Sequence, residues 1–411
     1  MMARLLLIVA IVLAPSVRAQ PPETRGLLPT DIARPLLEQD PRIAAARAGL
    51  QVARQEAGIL DSSPYEWTAK LSGQRRTLQY GPDYQEWYAG IERPLRLPRK
   101  ATADRSIGNA AVEEGEARYG EALYEAAREL LTMWLDWIAA ERGRELAAAN
   151  RQSAQENLAV VEKRSRAGDA SKLDMSLAQA DLAEQNRMDN DAKTQAAAAW
   201  GRLHARFPGL GRQFAAFPEP FLIREDAAFW YSRILAESDE LKVAQAQLQK
   251  AQAQAARSRA EKTPDPTLGI YTASEVGGRE RILGISISIP IPGGQRDRQA
   301  VKAAHSVEFM RQEVELKKRK LEADIASAVA TAEGAYESLQ IAETGASAMQ
   351  DNAKLMQRAY SLGEADLQAL LLGRRQATTA AQNALAARVT ALKSYYLLLV
   401  DAHLVWNLDH D

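Results

Sequence analysis

The chain has 411 residues, 46% of them hydrophobic, with 52 basic against 53 acidic side chains, a net charge of -1, and no cysteine. That balance argues against a nucleic-acid partner or a polybasic membrane tail, and the missing thiols exclude disulfides, thiolate metal sites and a lipidated N-terminal cysteine. The length allows two or three ordinary domains.

Met1–Arg4 carries one arginine, Leu5–Ala14 is unbroken apolar sequence, and Val17-Arg18-Ala19 supplies small residues before Gln20. Residues 1–19 read as a secretory signal peptide cut after Ala19. The apolar run is about half of the roughly 20 residues a spanning helix needs, and no later stretch approaches that length. Asp31–Ser62 reads as a helix, with Asp31 as N-cap and Pro64 beyond its end. Tyr65–Ser72 and Tyr84–Leu95 are strand candidates around Gly81-Pro82-Asp83. Tyr65, Trp67, Tyr80, Tyr84, Trp87 and Tyr88 crowd this hairpin, as in the aromatic girdles of membrane barrels. Ala101–Ala167 then runs without a proline, a helix of roughly 100 Å. A Gly168 turn leads to a further helix, Asp169–Arg206, and "FPGLGRQFAAFPEP", Phe207–Pro220, marks a compact connection.

The second half repeats the plan. Glu225–Lys262 reads as helix, Thr267–Ala273 and Arg281–Ile291 as strands around Gly277-Gly278, and Gln295–Leu362 as another proline-free helix of about 100 Å. "DPRIAAARAGLQVARQEA" from Asp40 matches "SDELKVAQAQLQKAQAQA" from Ser238 without a gap. "RPLRLPRK" matches the region of "SIPIPGGQR", and "AGDASKLD" matches "LGEADLQA". A nearly constant offset in the same order argues for duplication. The division expected is 20–206 for the first repeat, 207–224 for a connecting segment and 225–411 for the second repeat.

Each long helix needs partners along its side. From Leu321 through Ile325, Ala332, Leu339 and Ala346 to Met356 and Tyr360, apolar residues alternate at spacings of four and three, a sustained heptad. A plain antiparallel coiled-coil hairpin would account for that seam. In Leu283–Ile291, however, each odd position is Leu or Ile and each even one Gly, Ser or Pro, which suits a strand with lipid on one side and a polar interior on the other. Ile285, Ile287 and Ile289 are the expected lipid-facing residues. A soluble sandwich strand with a solvated serine face is the alternative. Four strands cannot close a barrel, and open edges are not tolerated in hydrocarbon, so membrane insertion requires several protomers.

The duplicated plan and its Gly-centred turns, "RAGDASKLD" and "SLGEADLQA", resemble the TolC family of outer-membrane efflux ducts over essentially the whole mature chain. The resemblance implies a mainly α fold with a membrane β-barrel: a homotrimer whose 12-stranded barrel continues into a 12-helix periplasmic α-barrel. It implies an outer-membrane location in a Gram-negative bacterium, a periplasmic adaptor protein and an inner-membrane pump of RND type as partners, and no cofactor. By the same resemblance Arg166, Ala167, Gly168 and Asp169, with Leu362, Gly363 and Glu364, form the adaptor-contacting tips. Asp174 and Asp366 are the periplasmic gate residues. Ala369 and Leu372 stand where a fuller aspartate ring would continue, and a solvated helix-start aspartate is the simpler role for Asp174.

His204, His305, His403 and His410 are scattered, and no HExxH, GxGxxG or P-loop spacing occurs, so neither catalysis nor a metal site is expected. The expected function is passive conduction of metal cations or small toxic compounds, the compact length and missing lipidated cysteine resembling the heavy-metal (CzcC-like) or small-molecule branches of that family more than its lipidated drug-efflux ones. Type I protein secretion through the same fold and a periplasmic adaptor that never inserts remain the alternatives.

Overall fold

The computed structural model describes residues 27–212 and 217–408. The expected signal peptide, Met1–Ala19, and His410 lie outside the described residues. The first helical stretch is two helices, α1 (Thr30–Glu38) and α2 (Pro41–Asp61). Asp31 is inside α1 and Pro29 precedes it, so the expected cap is not there. Asp40 breaks the stretch instead: its carboxylate accepts from the Arg42 backbone N–H at 2.7 Å, and Pro41 occupies a first-turn place where no N–H is needed.

β1 (Thr68–Arg76) and β2 (Tyr84–Pro94) follow, then α3 (Pro98–Arg166), 69 residues long, and α4 (Lys172–Arg206). In the second half, α5 (Ala227–Glu237) and α6 (Asp239–Ala260) are separated at Ser238, whose hydroxyl accepts from the Leu241 N–H. Asp40 and Ser238 are the two residues at which the repeated sequences begin, so both copies break at one place and for one reason. β3 (Thr267–Glu275), a single 3₁₀ turn (Val276–Gly278), β4 (Glu280–Ser288), α7 (Gly294–Leu362) and α8 (Leu367–Asp401) complete the fold.

The elements lie four abreast from one end to the other. At the head is an antiparallel sheet in the order β1-β2-β3-β4. Below it α2 packs on α3, α3 on α6 and α6 on α7; farther down α4 packs on α3, α3 on α8 and α8 on α7. α7 is therefore an edge along its whole length.

Midway, where the short helices meet end to end, sits the largest apolar core. Trp134, Trp137, Trp230, Tyr396 and Phe207 are buried there, and the Trp406 indole N–H donates to the Leu28 carbonyl at 2.7 Å. Beside it, Arg206 pairs with buried Asp40 and with Glu129, tying α4 to the α1–α2 break and to α3. The heptad seam of α7 is only partly closed. Ile325, Ala332, Ala335, Leu339 and Tyr360 are buried, but Met349 is exposed. Between Leu339 and Tyr360 small side chains such as Ala346, Ala353, Ala377 and Ala381 leave a cavity of about 790 Å³, reached by Arg374, Asp181 and Glu343.

Candidate functional site

The register sorts the strand residues into two faces. Leu283, Ile285 and Ile287 of β4 share one face with Leu268 and Ile270 of β3, Ala89 and Ile91 of β2, and Leu71 of β1. This face is bare: Leu71 is 81% exposed, Leu283 81% and Ile285 77%. Strands of 9 to 11 residues are long enough to cross a bilayer when tilted. Trp87 closes the face toward the hairpin turns, and Trp67, just before β1, closes it toward the helices. Along β2 the two levels are about 20 Å apart.

Ile289 is a correction. β4 ends at Ser288, paired with Thr267, so Ile289 is exposed beyond the ladder and not a strand residue. Pro290 follows, and with no backbone N–H it cannot extend the pairing. The aromatic cluster also divides. Tyr65 lies outside β1 and donates its hydroxyl to Asp265 at 2.5 Å, while Tyr84 and Tyr88 project to the opposite, polar face. Only the tryptophans of that hairpin border the apolar face within the strands' reach.

The polar face carries Ser286 and Ser288, the Lys70–Glu92 ion pair at 2.7 Å, and Glu86 held by Gln74 at 2.8 Å and Arg76 at 3.1 Å. Glu275 and Glu280 stand opposite each other on it. Tyr88 and Tyr271 stack with ring centroids 5.2 Å apart. The Tyr271 ring covers Gly284 so closely that an added Cβ would lie 2.5 Å from it, which is why this strand position is glycine.

Where sheet becomes helix, an ionic joint forms that the sequence reading did not find. Lys100 is buried between Asp265 at 3.0 Å and Glu261 at 3.3 Å. Arg96 donates to the carbonyls of Leu60 and Asp61, satisfying the end of α2, and pairs with Asp104 at 3.2 Å. The available signal was four basic residues within "RPLRLPRK" at a strand-to-helix junction.

At the far end the two hairpins turn at Gly168 (φ 80°) and Gly363 (φ 77°), left-handed conformations that glycine adopts without a Cβ clash. Asp169 N–H donates to the Arg164 carbonyl, and Glu364 N–H to the Ala359 carbonyl. Lys163, Arg164 and Arg166 gather in the last turn of α3, where positive charge suits the helix C-terminus. Ala167 is the C-cap of α3, and Arg166 Nε reaches the Glu162 carbonyl at 3.4 Å. Arg164 pairs with Asp169 at 2.9 Å and lies over the Tyr360 ring, 5.1 Å from its centroid, so it ties the first hairpin to the second. Val161, Ala178, Tyr360, Leu367 and Leu370 form a small core behind the turns, whereas Leu362, Leu173 and Leu372 are exposed.

The two expected gate aspartates do not occupy matching places. Asp366 is the N-cap of α8 and accepts from the Ala369 N–H at 2.7 Å. Asp174 is one turn inside α4, where it completes a capping box with Ser171: it accepts from the Ser171 N–H at 2.9 Å, and the Ser171 hydroxyl accepts from its own N–H.

The outer membrane efflux protein model matches residues 33–206 and 230–398 of the chain. None of the curated proteins matches it. Among solved structures, the chain is similar to the CmeC outer membrane channel of Campylobacter jejuni, with a TM-score of 0.75, 14% identity, and coverage of 93% of this chain and 86% of that one. It is similar to the outer membrane protein VceC of Vibrio cholerae, with a TM-score of 0.73, 16% identity, and coverage of 90% and 95%. The open state of the Neisseria gonorrhoeae MtrE outer membrane channel gives 0.66, 20% identity, and coverage of 91% and 88%. These likenesses are to the fold; the family match spans both repeats. The chain belongs to the outer membrane efflux protein family.

Proposed function

We propose that three copies of this chain close into one outer-membrane exit duct, which passes metal cations or small toxic compounds delivered by a periplasmic adaptor and an RND-type inner-membrane pump. The observation that carries the reading is the four-stranded sheet with one bare apolar face and two unpaired outer strands, β1 and β4. Unpaired strand edges in hydrocarbon leave backbone groups unsatisfied, and three sheets joined β4 to β1 remove every edge. The helices support the same closure. α7 carries exposed Val301, Phe309 and Leu316 on its edge, and α2, the opposite edge, carries exposed Val52 and Ile59. These stripes are the contact between neighbouring chains.

Cation cargo is supported by the polar face, which would line the bore: it carries Glu86, Glu92, Glu275 and Glu280 against Lys70 and Arg76. Charged rings set which ions a pore admits. Arg166, Ala167, Gly168 and Asp169 with Leu362, Gly363 and Glu364 are the adaptor-facing tips, supported by their turn geometry and by the exposed leucines beside them. Asp174 and Asp366 are the gate candidates. Chromatography with light scattering of detergent-extracted protein should give a three-chain species, and a deletion strain should become sensitive to metal salts or dyes. A monomer would end the duct reading. A normal metal and dye response with a depleted secretome would transfer the chain to protein export.

A further inference from the structure

At the helical end of the apolar face sits a cation without a carboxylate. Arg93 stands on that face next to Leu268 of β3, which itself neighbours Ile287 of β4. Its Nε donates to the Tyr65 carbonyl at 3.0 Å, and its guanidinium lies over the Trp67 ring at 5.7 Å from the centroid. Tyr65 precedes β1, so the first contact draws the charge toward the helices, as a snorkelling side chain does, while Trp67 stands level with Arg93 across the strands. Among the described residues no acidic side chain pairs with it. The contrast is local: Arg96 is paired with Asp104, Lys100 with Asp265, and, at the opposite rim of the same face, Arg75 with Asp83.

A cation on the lipid side of a strand is costly at mid-bilayer and is tolerated near the headgroups. Its counter-charge must then come from outside the chain. We propose that Arg93 and Trp67 bind the headgroup phosphate of a phospholipid in the periplasmic leaflet, with the acyl chains lying over Ile91, Ile270 and Ile285. The guanidinium offers a planar fork that matches phosphate oxygens, and the contact to Tyr65 uses only Nε, leaving both Nη groups for the ligand. Trp67, 64% exposed, supplies an indole where one end is apolar and the other wet. The next row of the face, exposed Ile91, Ile270 and Ile285, continues the site into hydrocarbon. The assignment rests on the outer-membrane placement of the sheet.

The test is native mass spectrometry of the full assembled protein in neutral detergent, titrated with phosphatidylglycerol. Wild type should retain the lipid, R93Q should bind it about tenfold more weakly, and R93K, which keeps the charge but not the fork, should fall between them. R75Q, altered at the other rim, should bind as wild type. Equal binding by R93Q and wild type, or an equal loss in R75Q, overturns the site, and displacement by inorganic phosphate alone overturns its assignment to lipid. Should R93Q not assemble, quenching by phosphatidylglycerol brominated near the headgroup, read as the difference between wild type and W67F, gives an independent reading. Absence of a Trp67-dependent quench overturns the proposal. A conducting three-chain assembly that ignores the lipid removes this site and leaves the duct, whereas a monomer that does not conduct removes the duct.

Discussion

Asp174 and Asp366 illustrate how much a single carboxylate is asked to do. Each satisfies backbone N–H groups at the start of a tip helix, so neither is a free charge waiting on cargo. A gate role for Asp174 is therefore tested by separating charge from cap. Asp174→Ala loses both and should lower helix stability by about 1 kcal/mol. Asp174→Asn keeps an acceptor near Ser171 and loses only the charge. Both variants should raise leak conductance in a planar bilayer, and only the alanine should lower the thermal midpoint; an asparagine variant with unchanged conductance removes Asp174 from the gate.

Asp239, in the first turn of α6, behaves differently. Burial pushes its carboxyl up to about 6, against the opposing pull of Lys242, and Glu121 and Glu237 add to the rise. His403 Nε2 lies 3.7 Å from it. A carboxyl whose folded pKa is above its unfolded one favours the fold when protonated. Its contribution is complete below about 4 and is lost as pH rises through about 6. Asp239→Asn should accordingly raise the thermal midpoint at pH 8 and leave it unchanged at pH 4. An equal shift at both values would assign the effect to packing instead.

At the scale of elements, the strands are graded by depth. Ile285 lies in the middle row of the apolar face, between Leu283 and Ile287, while Ile287 shares its row with Leu268 and Arg93. Ile285→Arg should cost about 2–4 kcal/mol and block assembly, and Ile287→Arg, near the rim, about 0–1 kcal/mol. Urea unfolding from vesicles reads both, and equal costs would mean that the rows do not correspond to depth.

Sequence periodicity located these strands because their side-chain period of two differs from everything around them. It placed both long helices to within a few residues for the opposite reason: nothing interrupts them. It missed the helix breaks at Asp40 and Ser238, since one capping side chain is invisible to a helical period of about 3.6 residues. It did not separate Trp67 and Trp87 from Tyr65 and Tyr88, because aromatic clustering says nothing about which face a residue takes.

For the molecule as a whole, the four-abreast layout makes α7 and β4 one edge and β1, α2 and α4 the other. Phe309 and Leu316 on α7 are 58% and 61% exposed, too apolar a stripe to leave in water along a helix of this length. Phe309→Glu should shift the protein from three-chain assembly to monomer in detergent, while the circular dichroism of its helices stays largely intact. A trimer as stable as wild type would place the interface elsewhere.

By itself the sequence determined the order of strands and long helices and the turns at Gly168 and Gly363, and it raised the expectation of a duplication and of more than one chain. All of these follow from local spacing, from glycine's freedom at positive φ and from the backbone's demand for partners. Only the tertiary structure decided which residues of different strands share a face of the sheet, that Arg164 joins the two hairpins across Tyr360, that the α7 seam opens around Arg374, and that Arg96 and Lys100 are neutralised while Arg93 is not. Those outcomes depend on register and on groups more than a hundred residues apart, such as Lys100 and Asp265, which no local pattern brings together.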